Sequence, residues 1–149
     1  MQVLRSLLFT GFFILWSFLY ACFFVLAAPL LPFVRRFALA RAYARSVLVV
    51  LRWSCGLDYR VEGRENLPSG NHVALIKHAS TWETVAQMVL LPPQVWVLKR
   101  ELTWLPAFGW GLMLLNAIAL NRSAGGSAVK SVLEQGKVVS GVVVRLADF

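Results

Sequence analysis

The chain has 149 residues, 58% of them hydrophobic, and 15 Lys and Arg stand against 7 Asp and Glu. That length holds one domain and a membrane segment at most, and the apolar share is high for a purely soluble domain. The net charge of +8 is uneven: Arg5, Arg35, Arg36, Arg41, Arg45 and Arg52 all precede the first acid, Asp58, whereas nine basic residues face seven acidic ones from there on. A basic excess beside the most apolar part points to anionic lipid, and no nucleic-acid fold signature accompanies it, so no nucleic-acid partner is expected. Cys22 and Cys55 make neither a metal pattern nor a disulfide framework.

From Arg5 to Arg35 there is no charge between. The run Leu7 to Ala28 is long enough for a membrane helix, where about 20 apolar residues suffice. Ala27-Ala28 before Pro29 leaves a signal-peptide end as the alternative, but the run is long for one. Pro29 and Pro32 break the helix. Trp16 and Tyr20 lie mid-span rather than in an interfacial belt, so a re-entrant or tilted course competes with a straight span. The Arg residues after the run place the carboxyl side in the cytoplasm by the positive-inside rule. Residues 1–57 are therefore expected to fractionate with membranes and to resist a high-salt wash.

Phe33 to Cys55 reads as a second helix with Gly56 as its stop. Arg41, Arg45 and Arg52 share one face, and Phe37, Val47, Leu48 and Leu51 fill much of the rest. This basic amphipathic pattern suits a helix lying among headgroups. An ordinary core helix with a solvated Arg face is the alternative. Asp58 to Gly63 alternates as a strand would, and Arg64 to Asn71 is turn-rich.

Val73 to Ile76 is a short apolar run of the buried parallel-strand kind, ending at Lys77-His78. Thr81 offers an N-cap, and an apolar-patterned helix follows from Trp82 to Leu91. His78 then stands where a strand ends, and Glu83 stands in the first helical turn. Open α/β sheets bind ligands outside the carboxyl ends of their strands. A neutral imidazole there is a general base, and a carboxylate on its second ring nitrogen fixes the tautomer. Five positions would be wrong on one continuous helix, but a strand-to-helix turn can fold Glu83 back toward His78. The plain alternative is a surface His beside an acid that merely favours the helix N-terminus. His72 competes, yet six residues of strand set it roughly 20 Å from His78, at the wrong end.

Val95 to Leu98 is a second apolar strand, ending at Lys99, and Ala117 to Leu120 is a third, followed by Asn121-Arg122. Strands that end in Lys or His at one sheet edge would draw an anion such as a phosphate. Arg122 adds a planar fork suited to phosphate. The alternative for Lys99 and Arg122 is a solvated strand end. Trp104 to Leu115 is apolar almost throughout and covers the sheet or dips toward lipid. Ser127 to Gln135 reads as a short helix stopped by Gly136.

Lys77-His-Ala-Ser-Thr-Trp-Glu83 resembles the first motif of the glycerolipid acyltransferases, the lysophosphatidic acid acyltransferase family: a His, four residues, then an acid. The acid there is usually Asp. Lys99-Arg-Glu-Leu102, Pro106-Ala-Phe-Gly-Trp110 and Ile118-Ala-Leu-Asn-Arg122 resemble its second block, in the same order, with Asn121 where an acid is usual. The resemblance spans roughly Val61 to Lys137. It implies an α/β domain that moves a fatty acyl group from acyl carrier protein or coenzyme A to the 2-hydroxyl of a 1-acyl-glycerol-3-phosphate. It implies His78 as base, Glu83 as its orienting acid, and Lys99 and Arg122 as phosphate contacts. No metal and no cofactor beyond the acyl donor are implied. Ser80 is read as a loop or capping residue, since direct transfer needs no acyl-enzyme.

After Gly136 the family pattern stops. A relative would continue through a buried strand to a Phe-Pro-Glu-Gly-Thr-Arg block, whereas this chain reads Val138-Val-Ser-Gly-Val-Val-Val-Arg-Leu-Ala-Asp-Phe149. The expectation is therefore a membrane anchor over 1–57 and a partial acyltransferase α/β sheet over 58–149, its last dozen residues a truncated or frame-shifted reading. Such a sheet would lack a central strand and expose Ala117 to Leu120 or Val95 to Leu98, unless Val142-Val-Val144 substitutes. The chain would bind a bacterial-type inner membrane from its cytoplasmic side and transfer little or no acyl group. A non-catalytic membrane-bound remnant, or an enzyme for another lysolipid, are the competing readings.

Overall fold

A computed structural model describes residues 2–70, 72–77, 79–120 and 142–147, the last stretch by its backbone alone. His78, Arg122 and the helix expected over 127–135 lie outside the described residues.

The first helix, α1, runs Gln2–Ala27 and gives way to a single-turn helix at Ala28–Leu30 that holds Pro29. Pro32 then caps α2, Phe33–Cys55, with a φ of −68°. A proline in that conformation fits just ahead of a helix, because its missing N–H would have had no partner there. At the far end Gly56 takes a φ of 69° and donates its N–H to the Arg52 carbonyl at 2.9 Å. A residue with a Cβ would be strained in that left-handed conformation.

The two helices form an antiparallel pair. Trp16 Nε1 donates to Ser46 Oγ at 2.8 Å, Ser17 Oγ lies 2.6 Å from the Tyr43 hydroxyl, and Tyr20 donates to the Leu39 carbonyl at 2.9 Å. This explains the aromatic residues in mid-span. Trp16 and Tyr20 carry polar atoms and face the partner helix, where those atoms find bonds. The opposite face of α1 (Leu7, Leu8, Ile14, Leu15, Phe18 and Leu26) is uncovered. This helix is the one described element long and apolar enough to cross a bilayer. It is the membrane-associating part of the chain.

The α2 face of Phe37, Ala40, Ala44, Val47, Leu48 and Leu51 is buried. The apolar face is thus covered by protein, as in the core-helix alternative and not as in a helix lying among headgroups, and Arg41 departs even from the solvated Arg face of that alternative. Its Nε donates to the Met88 carbonyl at 3.0 Å and its Nη2 to the Leu91 carbonyl at 2.9 Å, with the guanidinium 5.1 Å from the Phe37 ring centre. Burial first, then the charges of Arg45 and Arg64, lower its pKa, yet an arginine so placed remains a cation. A cation at a helix carbonyl end is favourable, so Arg41 pins the end of the following helix, α3 (Thr81–Leu90), to α2. Arg45 and Arg52 stay exposed.

The segment Asp58 to Gly63 is not a strand. Gly56 and Gly63 bracket it at positive φ, and Gly63 leads into a single turn, Arg64–Asn66. Local contacts hold it: an exposed Arg52–Asp58 ion pair at 3.2 Å, and Tyr59 set edge-on against Trp82 at 5.5 Å. Alternation alone does not make a strand where no neighbouring strand supplies ladder bonds.

Four strands make one parallel sheet: β1 Val73–Lys77, β2 Gln94–Lys99, β3 Ile118–Leu120 and β4 Val142–Ala147, in the order β1-β4-β2-β3. Helix α3, Thr81–Leu90, connects β1 to β2, and α4, Phe108–Leu114, lies between β2 and β3. Of the two edges expected, Val95 to Leu98 is not one, because the substitute strand allowed for is present, and β3 is the end strand of the described sheet. β4 pairs with β1 on one side and β2 on the other, so β2 is interior and Val95 to Leu98 are buried. The Val142 to Val144 run is thus a sheet strand, because three β-branched residues fit a pleated surface between two apolar neighbours. One face of the sheet, with Trp96, Leu98, Ala74, Ile76 and Ala119, packs on Phe24, Phe37 and Ala40, and Trp96 stacks on Phe37 at 5.9 Å. Val95, Val97 and Ile118 form the core of the other face.

Candidate active site

All four strands run the same way, so β1, β2 and β3 end at one edge with Lys77, Lys99 and Leu120. Two registers fix the relation of the two lysines. Lys77 is opposite Ala147, and Val97 is opposite Arg145, two residues earlier on β4. Lys99 therefore continues the row of Lys77 and Ala147 and shares their face. β4 separates the two lysine strands, which places their backbones about 10 Å apart. Both side chains are exposed. Their charges add at this edge, as the sequence pattern predicts.

The β1-to-α3 turn carries the remaining described site residue. Ser80, not Thr81, is the N-cap: its backbone is extended, at φ −153° and ψ 167°, and its Oγ accepts the Trp82 N–H at 3.2 Å. Glu83, three residues on, accepts from both the Ser80 N–H and the Ser80 hydroxyl at its Oε2, each at 2.7 Å. This is a capping box, and its sequence signature of Ser, two residues, then Glu was present for the reading that chose Thr81. Two donors from one residue hold the carboxylate at the start of α3, beside the end of β1. The extra methylene that Glu has over Asp is thereby tied back onto the turn. Ser80 is thus the capping residue that the sequence reading allowed it to be, in the place expected of Thr81.

His72 stands at the other end of β1, with its Nδ1 2.8 Å from the Gly70 carbonyl. That contact requires the proton on Nδ1 and makes the ring a brace for the turn. Among the described residues no three His, Cys, Asp or Glu gather as a metal site would require.

A parallel α/β sheet packed on an apolar helical pair, with lysines ending two of its strands and a held carboxylate in the first turn of the next helix, defines the class of this protein. Residues 58–143 match the family model described as Acyltransferase, and the chain belongs to that family. It is similar to the 1-acyl-sn-glycerol-3-phosphate acyltransferase of Pseudomonas aeruginosa, with 38% identity over 136 residues, which are 91% of this chain and 53% of that one. The proteins of the same name from Saccharomyces cerevisiae and Cocos nucifera are each 30% identical, over 60% of this chain and 30% and 29% of theirs. The chain thus spans about half the length, or less, of these curated relatives. The crystal structure of the 1-acyl-sn-glycerophosphate acyltransferase PlsC from Thermotoga maritima superposes with a TM-score of 0.74 at 21% identity, over 97% of this chain and 61% of that one. That likeness shows the fold.

Proposed function

We propose that this chain carries the base-bearing part of a lysophosphatidic acid acyltransferase. In this reading a fatty acyl group passes from an acyl carrier protein or coenzyme A thioester to the 2-hydroxyl of 1-acyl-sn-glycerol-3-phosphate. The observation that carries the reading is the strand-to-helix turn at the carboxyl edge of a parallel sheet, where Glu83 is held in place five residues after His78. The names of the curated relatives agree with it.

His78 takes the acceptor's hydroxyl proton as the oxygen attacks the thioester carbonyl. The tetrahedral intermediate collapses, the carbon–sulfur bond breaks, and the thiolate leaves with the proton returned by the imidazolium. The net change is one ester formed and one thioester lost, so no other reactant is needed. Glu83 orients the ring and stabilises its cationic form. Lys99 and Arg122 face the substrate phosphate, whose charge several donors must share. The acceptor is a lipid, and the membrane helix α1 brings the sheet edge to it on the cytoplasmic side, as the Arg residues after the span imply.

The test uses membranes holding the chain extended to the length of its relatives, supplied with an acyl thioester and 1-oleoyl-glycerol-3-phosphate, and in parallel with a lysolipid whose phosphate carries a headgroup. Formation of phosphatidic acid that His78→Ala abolishes supports the reading. Transfer only to the headgroup-bearing lysolipid assigns another acceptor. Transfer untouched by His78→Ala would overturn the assignment of the base.

A further inference from the structure

Segment 102–113 joins the sheet edge to the helical pair and carries an apolar surface that neither the fold nor the proposed chemistry uses. It begins three residues after Lys99 ends β2. Leu102, Trp104, Leu105, Phe108, Trp110 and Met113 are all exposed, Trp104 at 71% and Trp110 at 56%. Six large exposed apolar side chains in twelve residues are a concentration unlike the single apolar residues scattered over an ordinary surface. The patch is also rigid. A Cβ on Gly109 would lie 2.4 Å from the Thr103 carbonyl oxygen and 2.6 Å from that of Leu102, so α4 sits directly on the single-turn helix Arg100–Trp104. Only glycine allows that approach, and it locks Trp104 and Trp110 into one unit.

That unit is attached to the membrane helix. A Cβ on Gly111 would lie 3.5 Å from the Phe24 ring of α1, and Arg36 Nη1 donates to the Leu114 carbonyl at 3.1 Å. The uncovered face of α1 stays apolar to its end, through Phe23, Leu26 and on to Leu30 in the following turn. Exposed Lys99 and Arg100 adjoin the patch on the other side. Tryptophan flanked by cations, in continuity with a membrane helix, is the composition of a bilayer interface.

We propose that segment 102–113 is a second membrane-contact surface, seated in the headgroup region, that holds the lysine-bearing sheet edge against the bilayer. The occupant is lipid, and the surface fixes the orientation in which α1 attaches the domain. With one contact the domain swings about α1; with two, the edge that ends in Lys77 and Lys99 faces the lipid surface.

The test needs no turnover and is therefore independent of the proposed reaction. Cys22 and Cys55 are changed to Ser, a single cysteine is placed by Trp110→Cys or, in a second variant, by Trp104→Cys, and an environment-sensitive dye is attached. A Glu62→Cys variant serves as the solvent-facing reference. Each is reconstituted into phosphatidylethanolamine–phosphatidylglycerol vesicles with a quencher on the upper acyl chain or with iodide in the buffer. The expected result is quenching by the lipid-borne group and loss of iodide quenching at 110 and 104, with the reverse at 62. Iodide quenching at 104 and 110 as strong as at 62 would overturn the proposal, because the patch would face water. Protection from both quenchers would also overturn it, because protein would cover the patch.

Discussion

Helix α1 and strand β2 are both apolar almost throughout, yet their surroundings are opposite. β2 has five successive buried residues, Gln94 to Leu98, and is covered on both faces. α1 buries only Phe24 fully. An interior parallel strand is closed on two sides by neighbours and on two faces by packing, so the apolar run Val95 to Leu98 is used up inside the protein. A 26-residue helix outruns the small sheet it touches, and the remainder is left for lipid. Apolar composition therefore has two uses here, and length with topology decides between them. In the proposed function the chemistry belongs to the strand-bearing region and the attachment to the helical one.

That division can be broken most forcefully at the base. In the chain extended to the length of its relatives, His78→Ala is expected to lower the acyl-transfer rate on the order of 10²–10⁴, the contribution of a positioned general base, while membrane attachment is unchanged. His72→Ala should leave most activity, since its contact is to Gly70. Equal losses on the two would erase the distinction between the ends of β1.

Next comes the contrast between buried and lipid-facing aromatics. Phe37 is 1% exposed and stacks on Trp96. Phe37→Ala should destabilise the domain by about 3–5 kcal/mol, read as an earlier denaturant midpoint in detergent. Phe18→Ala, at a site 57% exposed, should shift that midpoint little. A similar cost at both positions would mean that α1 is covered by protein on its outer side.

Smaller effects sharpen the picture of the turn. Ser80→Ala removes both the Trp82 cap and a hydroxyl bond to Glu83. A stability cost of about 1 kcal/mol is expected. If the box also positions the acid, kcat falls further while KM for the acceptor stays, and Ser80→Thr restores both. Unchanged kcat in Ser80→Ala would confine the box to capping. Smallest is Tyr43→Phe, which deletes the hydroxyl facing Ser17 across the helical pair and should cost about 0.5–1.5 kcal/mol by thermal unfolding in detergent. No shift would show that α1 and α2 are held by apolar contact alone.

Much of the fold was legible without coordinates because its signals are local. Phe33 and Cys55 bound α2 as read, since Pro32 and Gly56 act through their own backbone angles. The runs at Val73, Val95 and Ile118 are strands, because β-branched apolar stretches of that length between turn residues have few other uses. The order His78, Ser80, Glu83 and the motifs near Lys99 and Trp110 identify the family from side chains alone.

What depends on distant partners was not legible. Asp58 to Gly63 alternates perfectly well, but no neighbouring strand reaches it, and ladder bonds cannot form singly. The sequence places Arg41 on a basic face turned to headgroups or to solvent, whereas α3 brings the Met88 and Leu91 carbonyls within its reach. The place of β4 between β1 and β2, which puts one strand's width between Lys77 and Lys99, is a property of sheet order. Residue types and spacing determine which elements form and which chemistry they can carry. Only tertiary structure decides which of them meet, because hydrogen bonds and packing across the fold join residues whose separation along the chain says nothing of their distance in space.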